Sequence, residues 1–217
     1  MEKYLSATFI IDCDSDSIKV KARELIREHD KDTDKAIALF YFVRDNITYN
    51  IYVPKHMPEH FKASNTLARG KGYCVQKAVL LVALARAAGI PARLCCAKIR
   101  NYLVPPKILE RLKSDIFPWH GYAELQLDGK WVKATPAFDI KMCQEQRLVP
   151  VEFDGHNDAR FPAYNLDGKK HIEYLLDRGP FDDVPLNEIR KALIERNMLD
   201  PRQLADDLKA AEPGISG

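Results

Sequence analysis

Gly70-Lys71-Gly72-Tyr73-Cys74-Val75-Gln76-Lys77-Ala78-Val79-Leu80-Leu81-Val82-Ala83-Leu84-Ala85-Arg86-Ala87-Ala88-Gly89-Ile90-Pro91 is the stretch from which the fold can be read. From Cys74 to Ala88 the residues favour a helix, and apolar side chains fall on nearly every face. Gly89 suits the left-handed residue that ends a helix, and Pro91 stops any continuation. A helix that is apolar all round has to be enclosed by other elements. Its longest apolar run, Ala78 to Ala85, is far too short to cross a bilayer. Two glycines precede it, and its first residue is a cysteine. A helix N-terminus presents unpaired N–H groups and about half a positive charge. A thiol placed there is expected to ionise below its free value of about 8.5. The Cys74 N–H could also donate to a developing oxyanion. An inert core cysteine is the competing interpretation. The glycine-preceded helix start favours a nucleophile.

Upstream, residues 4–12 read as a short extended arm. Ser17–Glu28 carries Ile18, Ala22, Leu25 and Ile26 on one helical face. Thr33 or Asp34 could cap a second helix running to about Asn46, and residues 47–53 are β-branched and aromatic. Residues 54–65 form a polar loop. Downstream, residues 92–99 read as a strand and 101–118 as an irregular or partly helical insertion. Residues 120–127 and 131–135 form a hairpin, because Asp128-Gly129 suits a two-residue turn that needs positive φ at both positions. Residues 140–171 show little periodicity and are expected to wrap the core. Leu186–Asn197 and Arg202–Ala211 read as C-terminal helices, making an extension over about 182–212. The apolar face of Leu186–Asn197 could pack internally or against a second chain. Neither a repeat nor a clear linker divides the 217 residues, so one domain is expected.

His120 is the natural base for Cys74. It opens the hairpin directly after Trp119, and the Asp128-Gly129 turn fixes its register. His29, His56, His60 and His156 sit in helix-end or polar contexts, as does His171, the least dismissible of them. Tyr73 and Trp119 flank the two candidate catalytic residues. They would line an acyl-binding groove or serve as core aromatics.

Gly72-Tyr73-Cys74, with Ala78, Leu81 and Ala85-Arg86-Ala87-Ala88-Gly89-Ile90-Pro91-Ala92-Arg93, resembles the nucleophile motif of the transglutaminase-like superfamily. His120-Gly121-Tyr122-Ala123-Glu124-Leu125, followed by Gly129-Lys130-Trp131-Val132, resembles that family's histidine segment. The resemblance covers about residues 35–140. It implies an α+β, papain-like core in which a central helix carries the cysteine at its N-terminus and packs on an antiparallel sheet bearing the histidine and an acid. The family's acid usually follows the hairpin tryptophan within Asp-Pro-Thr. Here the stretch reads Thr135-Pro136-Ala137. A turn at 128 and 129 pairs Leu127 with Lys130, and hence Tyr122 with Thr135, placing Thr135 on the sheet face of His120. Asp139 could fold back as the third member, and Thr135 or a backbone carbonyl could orient the imidazole less strongly.

Composition bounds the rest. The chain is 46% hydrophobic and 29% charged with a net charge of +2, which favours a globular protein and gives no electrostatic case for nucleic acid or a membrane. Met1–Ser6 lacks the start of a signal peptide. Five cysteines, an odd number, fit free thiols and a cytoplasmic location. No spacing suggests a metal site, and no cofactor is expected. The function expected is a cysteine-dependent hydrolase or acyltransferase, acting through an acyl-enzyme on a protein, peptide or small amide. Hydrolysis ranks ahead of cross-linking. A thiolate–imidazolium pair of Cys74 and His120 would be its resting form. The alternative is a non-catalytic binding module that keeps the fold.

Overall fold

A computed structural model describes residues 1–196, 199, 200, 202 and 204. In chain order the elements are α1 (Asp16–Ile26), α2 (Asp32–Asn46), β1 (Thr48–Tyr49), α3 (Ala63–Arg69), β2 (Lys71–Gly72), α4 (Cys74–Ala87), β3 (Ala92–Asn101), α5 (Pro106–Leu112), β4 (Ile116–Leu127), β5 (Lys130–Ala134), α6 (Ile140–Glu145), β6 (Ile172–Phe181) and α7 (Leu186–Glu195). Four strands form an antiparallel sheet in the order β5-β4-β3-β6. The tiny β1 and β2 pair in parallel beside it. The class is α+β, as the sequence suggests.

The apolar helix is where the sequence places it. Every residue of α4 from Val75 to Arg86 is buried. It lies between the helices α1, α2 and α3 and the face of β3 and β4, which is why no side of it faces water. Gly89 follows with φ +81°, ending the helix. The hairpin register is also as expected: Leu127 faces Lys130 and Ala123 faces Ala134, and Asp128 and Gly129 have φ of +48° and +80°.

The seat of α4 on the sheet is made at one residue. A Cβ on Gly121 of β4 would stand 2.6 Å from Val75 Cα and 3.1 Å from Val75 N. Only a glycine lets the first turn of α4 lie directly against the strand.

Elsewhere the structure departs from expectation. Residues 4–12 are not extended; a short 3-10 turn (Glu2–Tyr4) leads into bends, and Ile10 and Ile11 anchor them in the core. The residue before α2 is Lys31, without a side-chain cap, so neither Thr33 nor Asp34 plays that part. Of residues 47–53 only Thr48 and Tyr49 pair as strand. The loop 54–65 already contains a 3-10 turn (Pro58–Phe61) and the start of α3. β4 begins at Ile116, so His120 lies inside the strand opposite Ala97 rather than at its start. β6 went unread because its pairing with β3 shifts register twice, at Cys96/Ala97 and at Lys98/Ile99. Each shift resets the alternation on which strand reading depends. The expected helix Arg202–Ala211 lies outside the described residues except for Arg202 and Leu204.

Gly121→Ala is expected to destabilise the protein by about 2–3 kcal/mol, since the obstruction is backbone that cannot step aside. A lower urea midpoint would show it. An unchanged midpoint would mean that α4 does not rest on β4 at this point.

Candidate active site

Cys74 opens α4, and His120 immediately precedes the glycine against which that helix turn rests. Two elements far apart in sequence are thus pressed together at the two candidate residues. Both line one cavity of about 80 Å³, with Tyr73 and Trp119 also in its wall. Tyr49, Phe138 and Phe161 add further aromatic surface.

Tyr73 is the residue before α4. Its N–H donates to Gln76 Oε1 (3.3 Å), and the Lys77 N–H is bonded to Tyr73 O at 3.0 Å. The N–H groups of Cys74, Val75 and Gln76 therefore have no partner within the helix. Those of Gly121, Val75 and Cys74 all favour the Cys74 thiolate, as does the charge of Lys55. Burial opposes them and is the larger effect, pushing the thiol up to about 11. This reverses the lowered value that the helix start alone suggests.

Burial likewise pushes His120 down to about 3, with the Arg160 charge adding to the effect. The ring is 2% exposed and packs on Phe161 with centroids 4.9 Å apart. Its Nε2 is sealed from solvent and has no hydrogen-bond partner among the described residues. Burial thus works against the charge of each group and favours a thiol beside a neutral imidazole over an ion pair.

Asp139 is placed elsewhere. Its carboxylate caps α6, accepting from Met142 N (2.9 Å), and its other oxygen accepts from Tyr49 N (2.8 Å). Its charge also supports the ammonium of Lys77, a fully buried side chain whose pKa burial pushes down to about 7. No bond joins Asp139 to His120. Thr135, just after β5, is 1% exposed, and it does not line the cavity.

Several residues near the site carry no motif that marks them in the sequence. Lys55 is buried, its ammonium donating to the carbonyls of Ile51 and Val53, and burial pushes it down to about 8. Ile189, Ala192, Leu193 and Arg196 reach the cavity from α7 and the residue after it. The apolar face of that helix therefore packs internally. His171, the least dismissible of the remaining histidines, is 1% exposed and pushed down to about 4 by burial. Among the described residues no cluster of His, Cys, Asp and Glu could hold a metal, and no helix is long and apolar enough to cross a membrane. All five cysteines are unpaired.

The model of the transglutaminase-like superfamily matches residues 19–136, more than half of the chain. The chain belongs to the transglutaminase-like superfamily. This family core carries both motifs and ends just before Phe138, so β6 and α7 lie beyond it. Among solved structures, a "putative cysteine protease" from Cytophaga hutchinsonii is 19% identical with a TM-score of 0.51; the match covers 83% of this chain and 46% of that one. A "putative protease" from Parabacteroides distasonis is 16% identical (TM-score 0.41), covering 62% of this chain and 25% of its own. The periplasmic domain of TgpA from Pseudomonas aeruginosa is 20% identical (TM-score 0.44), covering 61% and 45%. The superfamily chain described here thus spans less than half the length of each. At these identities the first likeness concerns the fold alone. No protein in the curated comparison matches.

Two outcomes follow from this superfamily site. Cys74 opens on the cavity, whereas Cys13, Cys95, Cys96 and Cys143 are buried. Iodoacetamide mapping should find Cys74 modified first, at a rate rising about tenfold per pH unit between pH 7 and 10, because the thiolate fraction grows toward a raised pKa. A plateau from pH 6 upward would instead reveal the ion pair. Asp139→Ala should cost about 1–3 kcal/mol in urea denaturation through loss of the cap and of the Tyr49 bond. Its Cys74 alkylation profile should stay unchanged; a shifted profile would make Asp139 a partner of the site.

Proposed function

We propose that this chain is a cysteine-dependent hydrolase or acyltransferase of amide and peptide bonds, with Cys74 as nucleophile and His120 as base. One observation carries the proposal: Cys74 at an unpaired helix N-terminus and His120 on the strand beneath it share a cavity. The superfamily core accommodates such chemistry, and a protein of similar fold carries a cysteine-protease name.

Because both groups rest neutral, the thiol proton has to leave as the sulfur attacks. His120 takes it, and the new S–C bond places negative charge on the carbonyl oxygen. The free N–H groups at the start of α4 are the donors for that oxyanion. The C–N bond then breaks, with His120 returning the proton to the leaving amine. Water, or a second amine, resolves the thioester. The unpaired thiols accord with a reducing, cytoplasmic setting.

A binding module that keeps the fold is the second interpretation. The imidazole without an acidic partner is the observation that favours it. Acid-quenched intact mass spectrometry separates the two. With a peptide or activated amide, a covalent acyl adduct should accumulate on Cys74 and vanish in Cys74→Ala. His120→Asn should slow its formation by roughly 10²–10⁴-fold. Absence of any adduct, with ligand binding intact in Cys74→Ala, would establish the binding module.

A further inference from the structure

We infer that the cavity beside Cys74 selects an uncharged, apolar acyl side chain, and that Leu193 of α7 sets how long a chain it accepts. This names a substrate class for the proposed acyl chemistry and presupposes it.

The cavity wall is almost entirely hydrocarbon, including Ile99, Phe117, Trp119, Phe161 and Ile172. No carboxylate lines it, and among the described residues its only charged side chain is Arg196. A charged acyl side chain would surrender its hydration there with at most one group to compensate, and a carboxylate is disfavoured unless Arg196 meets it. A methylene entering the same space gains roughly threefold to fourfold in affinity.

The location of these residues in the chain matters as much as their chemistry. The family core ends at residue 136. Phe161, Ile172 and the α7 residues Ile189, Ala192 and Leu193 come from later segments. The core thus supplies the reacting pair, and the later segments complete the pocket wall. α7 places Ile189 and Leu193 one turn apart on its buried face, at 1% and 8% exposure. Leu193, the less enclosed of the two, lines the cavity and is the position at which side-chain size can be altered with least cost to the core.

The Cys74 sulfur bonds to the acyl carbon, and the acyl C–N bond breaks. The thiol proton passes through His120 to the leaving amine. Water then adds to the thioester, releasing the carboxylic acid and restoring the thiol.

The probes are aminocoumarin amides of acetic, butyric, hexanoic and phenylacetic acids, with the succinyl amide as the anionic counterpart of butyryl. kcat/KM should rise about threefold to fourfold per methylene from acetyl to hexanoyl. Butyryl should exceed succinyl at least tenfold. Leu193→Phe should reduce hexanoyl turnover several times more than acetyl turnover, and Leu193→Ala should extend the preference to an added octanoyl amide. Circular dichroism checks that both variants fold. A flat chain-length series, succinyl exceeding butyryl, or Leu193 variants that scale all substrates alike would overturn the inference. If no amide is cleaved, calorimetric binding of the matching N-alkyl amides to Cys74→Ala decides. A chain-length gradient sensitive to Leu193 upholds the pocket while removing the acyl chemistry, and no gradient overturns the pocket.

Discussion

The close approach of Gly121 to Val75 is the constraint on which the site depends. There is no room for even a methyl group between β4 and the first turn of α4. The residue before Gly121 is His120 and the residue before Val75 is Cys74. The contact that seats the helix therefore brings the two reactive side chains to one cavity. It also presents the Gly121 N–H to the sulfur. The apolar run of α4 is the complement of this arrangement. A helix lying flat on a sheet and covered by α1, α2 and α3 has no face left for water. Gln76, Lys77 and Arg86 are the polar side chains buried with it, and the Lys77 ammonium has to donate to the Arg44 carbonyl at 3.0 Å deep in the core.

That buried lysine gives a reason for the place of Asp139. The ammonium needs a negative charge nearby, and the orphan N–H groups at the start of α6 and at Tyr49 need an acceptor. Asp139 serves all three. At the slot where the resemblance leads one to look for an acid, the chain offers Thr135. Its backbone N–H is bonded to Ala159 O, and its side chain is buried. The carboxylate is thus present four residues on, committed to the support of the helices rather than to the imidazole.

The features that were legible in sequence have a strong local cause. The α4 span follows from the apolar run Ala78 to Ala85 and from the glycines, Gly72 and Gly89, on either side of the helix. The β4–β5 register follows from Asp128 and Gly129, the residues that tolerate positive φ. That Cys74 and His120 face one cavity could be anticipated from two motifs, although His120 lies within its strand rather than at its start. Features set by distant parts of the chain were not legible. β6 is bulged twice, so its side chains never keep one alternation for long. The wall contributed by Phe161, Ile172 and α7 depends on three late segments converging on the family core. Nothing within any one of them announces the meeting. The raised Cys74 value belongs to the same kind: helix position can be read from sequence, but the degree of enclosure that outweighs it cannot.

Enclosure links the site's electrostatics to its specificity. A thiolate at a solvated helix N-terminus would be favoured by the free N–H groups. Here the same N–H groups act inside an apolar wall, where the cost of a bare charge exceeds what they return. The imidazole obeys the same rule and stays neutral. Both groups hold charge poorly until a carbonyl is present to share it. In the proposed reaction the negative charge would pass to a carbonyl oxygen, and the N–H donors at the start of α4 would meet it with little competing water. An apolar acyl chain filling the remaining space would remove water further. In such a site the hydrocarbon wall raises the resting thiol's pKa and strengthens the field that the developing oxyanion meets, so substrate fit and charge stabilisation follow from the same residues.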